Sequence, residues 1–407
     1  MAPIRSMGCL KPAGQQAASR LAAAGRQILP AVLIALMIGG VLLPSTAVAG
    51  GSRLIEVQDG EKTYTGKVVA TDTSTCCLVD RQGQMIRLNV ARLKSFRVIA
   101  DRFQSCSTSE FRSQLLTEFP DGYEVSGTTH YLVCAATGRA QRYAELFEEI
   151  YRTTEQFYRV RGFPISTTDS PLVAIVLSSR QEFSEYCQAD NVAWSPDLLG
   201  YYSLATNRVA LFDDPSIGTV ASADQSRRQF TSMTRSAATT EIGGDIASTI
   251  VHEAIHPVSF NMGVHNRIGG TPAWLVEGLA TVMEVPGTLR PVHGSSITDR
   301  VNRERLNWFR QEYSKRQSSD DLSRLIATDD MFRSETLDAY SLGWAVTFFM
   351  TENPVRTRQL TGYLKTVAER DPLKPYSRQE RLKDFRDAFG DPEVIQTEFR
   401  RFMDRLR

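Results

Sequence analysis

The chain has 407 residues, 42% hydrophobic and 23% charged, fractions that exclude a largely disordered, collagen-like or multi-span membrane protein. That length is ample for a real core and suits two or three domains. With 47 Lys and Arg against 46 Asp and Glu the formal net charge is +1. There is no basic excess of the kind a nucleic-acid binder shows, so no nucleic-acid partner is expected.

The charge is unevenly spread. Residues 1–49 contain Arg5, Lys11, Arg20 and Arg26 and no acid, and without them the balance is 43 basic against 46 acidic. An apolar run over 28–43 follows, then Pro44 and the small-residue string Ala47-Val48-Ala49-Gly50. A basic stretch, an apolar stretch and an A-x-A site make a secretory signal peptide, with cleavage expected after Ala49. The run is short for a membrane span and carries Pro30 near its start, which leaves an uncleaved anchor as the alternative. Either way the bulk of the chain is expected outside the cytoplasm, in the periplasm, cell envelope or extracellular space. Cys9 would leave with the signal; Cys76, Cys77, Cys106, Cys134 and Cys187 remain, an odd number without C-x-x-C spacing. They read as small buried hydrophobes with at most two bridges.

Residues 50–105 read as a small all-β module. Strands are expected at 62–71, 76–80, 84–90 and 95–99, with a hairpin turn at Arg81-Gln82-Gly83. The pattern resembles a small SH3-like barrel, and this module is the candidate for binding an envelope component. The character changes at about residue 106. A strand is expected at 123–136, a helix at 140–158 and a buried strand at 171–177. A short helix at 181–187 and a hairpin at 199–212 turning at Thr206-Asn207 follow. Residues 216–240 read as a polar loop. Beyond Arg300 the pattern is amphipathic helix, and Gly390-Asp391-Pro392 closes one helix and opens the last.

The chemistry concentrates at 252–256, His-Glu-Ala-Ile-His. Two His at i and i+4 share one helix face, near enough for both imidazoles to hold one metal. Glu253 points slightly round the helix, where it can reach water rather than the metal. With only 5 His in the chain, two unrelated solvated or core histidines in this spacing are a weak alternative. Residues 271–280, Thr-Pro-Ala-Trp-Leu-Val-Glu-Gly-Leu-Ala, open a second helix, with Thr271 expected as N-cap and Pro272 at the first helical position. Packed on the first helix, it can aim Glu277 at the two His. Two imidazoles and one carboxylate leave a fourth zinc position open, the catalytic rather than the structural arrangement.

His252-Glu253-x-x-His256 followed by Trp274-Leu275-x-Glu277-Gly278-x-Ala280 resembles the gluzincin metallopeptidases, and within them uncharacterised bacterial proteins of the peptidase-MA-like group. The similarity runs from about residue 111 to the C-terminus and omits the β module. It implies an α+β, zincin-like catalytic domain over 106–407, helical from about 299, that hydrolyses peptide or protein substrates. It further implies one Zn²⁺ per chain held by His252, His256 and Glu277, with Glu253 as general base and acid. Gluzincins often place a Tyr downstream of the ligands as oxyanion donor, and Tyr340 is the candidate here, with a core role beside Trp344 and Phe348 as the alternative. Two departures stand out. Pro257 follows the second His and is expected to kink the helix, and Thr281 stands where thermolysin-like chains have an Asp, so no partner for a ligand histidine is identified. His265 and His293 read as exposed loop histidines, and His130 as a strand residue. The rival reading is a non-catalytic peptidase-like binding or structural protein of the envelope.

Overall fold

The computed structural model describes residues 53–119, 121–168, 170–213, 244–285, 288 and 296–406. The expected signal segment, the 216–240 loop and His293 lie outside the described residues.

Five strands come first: β1 (Leu54–Asp59), β2 (Lys62–Thr71), β3 (Thr75–Val79), β4 (Met85–Asn89) and β5 (Leu93–Ala100), ordered β4-β3-β2-β1-β5. All paired neighbours are antiparallel. The first half of β2, to Gly66, pairs with β1 and the second, from Lys67, with β3, whose own register shifts between Val68 and Ala70. Gly66 sits at that changeover, where an added Cβ would lie 2.5 Å from the Val79 carbonyl oxygen. Only glycine fits there. Ile55, Val57, Cys76, Leu78, Leu88, Val90 and Leu93 pack inside.

The next helix is α1 (Thr108–Glu118), started by a reciprocal Ser107–Glu110 capping box. Residues 123–136, expected as one strand, are a hairpin: β6 (Tyr123–Gly127) and β7 (Tyr131–Ala136), paired antiparallel. The Thr128 N–H donates to the Tyr131 carbonyl and closes the turn, a reversal with none of the usual Asn-Gly or Pro signals. His130 lies in this turn rather than on a strand, its Nδ1 on Glu148 at 2.9 Å and its ring stacked on Tyr151. Then come α2 (Ala140–Val160), β8 (Leu172–Leu177), α3 (Arg180–Ala189), β9 (Gly200–Ser203) and β10 (Arg208–Phe212).

These strands form a second sheet, β6-β7-β8-β10-β9, parallel at β7–β8 and β8–β10 and antiparallel at both ends. Side chains alternate across it. Tyr131, Val133, Leu172, Ala174, Val176, Val209 and Leu211 join the core beneath α2 and the helical half. Leu132, Cys134, Val173, Ile175, Leu177, Ala210 and Phe212 face the other way, onto α1 and α3. Burial on both faces explains the unbroken apolar run of β8.

The remaining helices are α4 (Gly244–Asn261), α5 (Ala273–Met283), α6 (Arg303–Gln311), α7 (Asp321–Ala327), α8 (Asp330–Ser334), α9 (Thr336–Thr351), α10 (Pro354–Ala368), α11 (Arg378–Phe389) and α12 (Pro392–Arg405). The fold is α+β. Gly390, at φ 95°, ends α11, and Asp391 caps α12 with Pro392 in its first turn. No described helix is long and apolar enough to cross a membrane. The five described cysteines are free and buried.

One helix-end expectation, the Thr271 cap, needs correction. Pro257 lies inside α4, which runs on to Asn261. Asn261 Nδ2 donates to the Pro257 carbonyl at 2.8 Å, in the turn after the one whose backbone donor proline removes. Thr271 is not the cap of α5: Pro272 holds that position without a side-chain cap. The Ala273 N–H is satisfied instead by Asp329 Oδ1 at 3.0 Å, a partner 56 residues away, while Thr271 Oγ1 accepts from the Asn266 N–H.

Candidate metal centre

Helices α4 and α5 meet at three convergent donors. The available ligand atoms of His252, His256 and Glu277 all lie within 4.8 Å of one another. His252 and His256 are one turn apart on α4, their rings 4.8 Å apart and nearly perpendicular. Glu277 arrives from α5, its Oε2 3.1 Å from His252 Nε2 and 3.8 Å from His256 Nε2. Its aim depends on how closely α5 crosses α9. A Cβ on Gly278 would meet the Gly343 carbonyl oxygen at 2.8 Å and also strike Thr347. With hydrogen there the two helices pack tightly, and Tyr340 on α9 donates its hydroxyl to Glu277 Oε2 at 2.8 Å.

Further carboxyl and amide groups brace this set. His252 Nδ1 lies 2.7 Å from Glu284 Oε1, and Asn302 Nδ2 donates to Glu284 Oε2 at 2.9 Å. This is the partner the sequence left unidentified. Glu284 lies seven residues, two turns, beyond Glu277, and so on the same side of the chain as it leaves α5. The Thr281 hydroxyl instead returns to the Glu277 carbonyl at 2.6 Å. The presence of a carboxylate at 284 was visible in the sequence; Asn302, brought in by the start of α6, carried no signal.

Charge and burial set distinct protonation states. Burial opposes charge on His252, yet hydrogen bonds to Glu277 and Glu284 outweigh it and raise its pKa well above the ordinary value. His256 has no such partner, and burial lowers it to about 4, leaving a neutral imidazole. For Glu277 the burial penalty is overcome by His256, His252 and the Tyr340 hydroxyl, which bring it to about 2. Glu253 is 5% exposed, and burial raises it to about 7, with Glu277 adding repulsion against the pull of His252 and a hydrogen bond from the Tyr202 N–H. Tyr340 is raised well above its usual value by burial and by Glu277, so it keeps its proton.

A neutral imidazole, an anionic carboxylate and a second imidazole steadied by a carboxylate fit a divalent metal that favours mixed nitrogen and oxygen donors. Glu253 stands beside this set and outside it. His265 is not a fourth member. It is buried, not exposed as expected, at 2% exposure, with its ring 5.2 Å from Phe260.

An α+β chain with an HExxH helix and a carboxylate from the next helix defines a candidate metalloprotein. Residues 246–374, from α4 to just past α10, match the family described as Protein of unknown function (DUF1570), so the chain carries a domain of that uncharacterised family. No curated protein matches the chain.

Proposed function

We propose that this protein is an exported zinc-dependent metallopeptidase. The observation that carries the reading is the convergence of His252, His256 and Glu277 within 4.8 Å, with buried Glu253 next to them and outside the ligand set. His252, His256 and Glu277 would hold the ion. Zinc bound there would polarise a carbonyl and lower the pKa of water from 15.7 to about 7. Glu253, raised to about 7, is suited to take a proton from the attacking water and return it to the leaving amine. Tyr340 keeps its proton and, by turning its hydroxyl from Glu277, would be the candidate donor toward a developing oxyanion. The outer strand β9 favours a peptide substrate. Among the described residues it ends the sheet, and its Tyr202 N–H reaches Glu253, so an extended chain laid along that strand would present its carbonyls beside the base.

Metal analysis of the purified protein tests the ligand assignment. About one Zn²⁺ per chain is expected, and His256→Ala should lose it. Full occupancy in His256→Ala would rule out these ligands.

A further inference from the structure

The C-terminal end of α2 and the start of α10 lie at one arginine-rich face. Two hollows adjoin there and share Glu352. One, of about 590 Å³, is lined by Arg161, Arg300 and Arg358; the other, of about 360 Å³, by Arg356, Arg401 and Arg405. Among the described residues, the only carboxylates lining them, Glu352 and Glu398, are already engaged. Glu352 takes two hydrogen bonds from Arg300, at 2.6 and 2.9 Å, and Glu398 pairs with Arg356. Among the described residues no carboxylate forms an ion pair with Arg161, Arg358, Arg401 or Arg405. Burial pushes the Arg161 guanidinium down to about 10, because the pull of Glu352 is offset by Arg300. This is a cationic surface short of counter-charge.

The same face carries apolar side chains that point into water. Val160, Val355 and Val394, at 67%, 57% and 56%, are the most exposed large hydrophobics among the described residues. Val160 lines the first hollow, Val355 follows Pro354 at its rim, and Val394 precedes Glu398 by one turn of α12. Protruding aliphatic groups among uncompensated guanidinium groups suit a shallowly entered bilayer with negative headgroups. An acidic protein or polysaccharide would answer the charge alone.

We propose that this face docks the protein on a bilayer rich in anionic phospholipid. Arginines would meet the headgroup phosphates while the valines enter the interfacial layer. The inference is independent of the metal centre. It is also independent of residues 28–43, which would contact a membrane only if they stayed uncleaved.

The test uses the full chain in a Cys9→Ser background, with a polarity-sensitive fluorophore on Val355→Cys or, as control, on Leu116→Cys of α1. The five described native thiols are buried. With phosphatidylglycerol-containing vesicles the 355 label should shift to the blue, reversibly with salt, while the 116 label should not. Combined Arg358→Glu, Arg401→Glu and Arg405→Glu, all at exposed positions, should weaken this binding by about 100-fold, at about fivefold for each positive charge lost. An unshifted 355 label, an equal shift on phosphatidylcholine alone, or full binding by the triple variant would overturn the proposal. An equal shift with soluble polyglutamate would also overturn it, in favour of an acidic protein partner.

Discussion

Glu253, Glu277 and Glu284 share one buried cluster, and their surroundings assign them different tasks. Glu277 is drawn to its anion by two imidazoles and a tyrosine hydroxyl, Glu284 grips His252 from behind, and Glu253 is left with a pKa of about 7. Substitution should therefore separate them. Glu277→Gln replaces an anionic oxygen ligand with a neutral one and should largely abolish zinc binding. Glu284→Gln should weaken zinc by 10- to 100-fold, about what loss of a histidine's supporting carboxylate costs. Competition with a chromogenic chelator gives both constants, and equal affinity for Glu284→Gln and wild type would remove Glu284 from the site. The three convergent donors were legible because i, i+4 spacing and a Thr-Pro helix start followed by a carboxylate are local patterns. Asn302 was not, since nothing in residues 296–302 tells where α6 will pack. Tyr340 was legible as a candidate, but its hydrogen bond to Glu277 depends on a helix crossing that no single segment encodes.

That crossing belongs to the scale of the elements. Gly278 lets α5 approach the Gly343 carbonyl and Thr347 of α9 so closely that a methyl group at 278 has no room. Gly278→Ala should cost about 2 kcal/mol or more, in the range of core overpacking, and should shift Glu277 as well. Thermal unfolding and zinc affinity would both fall, and an unchanged melting temperature would contradict the close crossing. Strand β2 (Lys62–Thr71) occupies the range expected for it, because it is rich in Thr, Tyr and Val. The hairpin within 123–136 escaped notice, since a turn of Thr, Thr and His looks like more strand. Thr271 was misassigned for a similar reason. A Thr-Pro pair reads as a local helix start, whereas the donor of α5 is satisfied from Asp329, far along the chain.

At the scale of the molecule, the β module is joined to the β9–β10 turn and to Arg267 by hydrogen bonds to main-chain carbonyls. Arg267 Nη2 bridges the carbonyls of Gly83 and Leu204 at 2.9 and 2.8 Å, and the Met85 N–H meets the Ala205 carbonyl at 2.7 Å. A cavity of about 510 Å³ at this seam is lined from both sides, by Lys67 and Phe103 and by Asn261 and His265. His265 was misread as exposed because it is covered by packing against Phe260 and at this seam, which no local pattern encodes. Burial lowers its pKa from 6.5 to about 3, so the folded chain keeps it neutral while the unfolded chain protonates it. Its contribution is fully present above about pH 6.5 and is lost as pH falls toward 3. Stability of His265→Gln, followed by denaturant unfolding from pH 7 to 5, should therefore decline less steeply than that of wild type. Identical slopes would contradict a neutral buried His265.

The proposed function rests on the same assembly, since the proposed base from α4, the proposed ligand from α5, the tyrosine from α9 and the outer strand β9 would act only when brought together. Cleavage of a broad peptide library by zinc-loaded wild type and by Glu253→Gln, compared at equal zinc content, tests that directly. Wild type should cut, and Glu253→Gln should keep its zinc and fold while losing at least about a thousandfold in rate, because an amide cannot accept the proton from water. Equal cleavage by the two proteins, or none by the zinc-loaded wild type, would contradict the account.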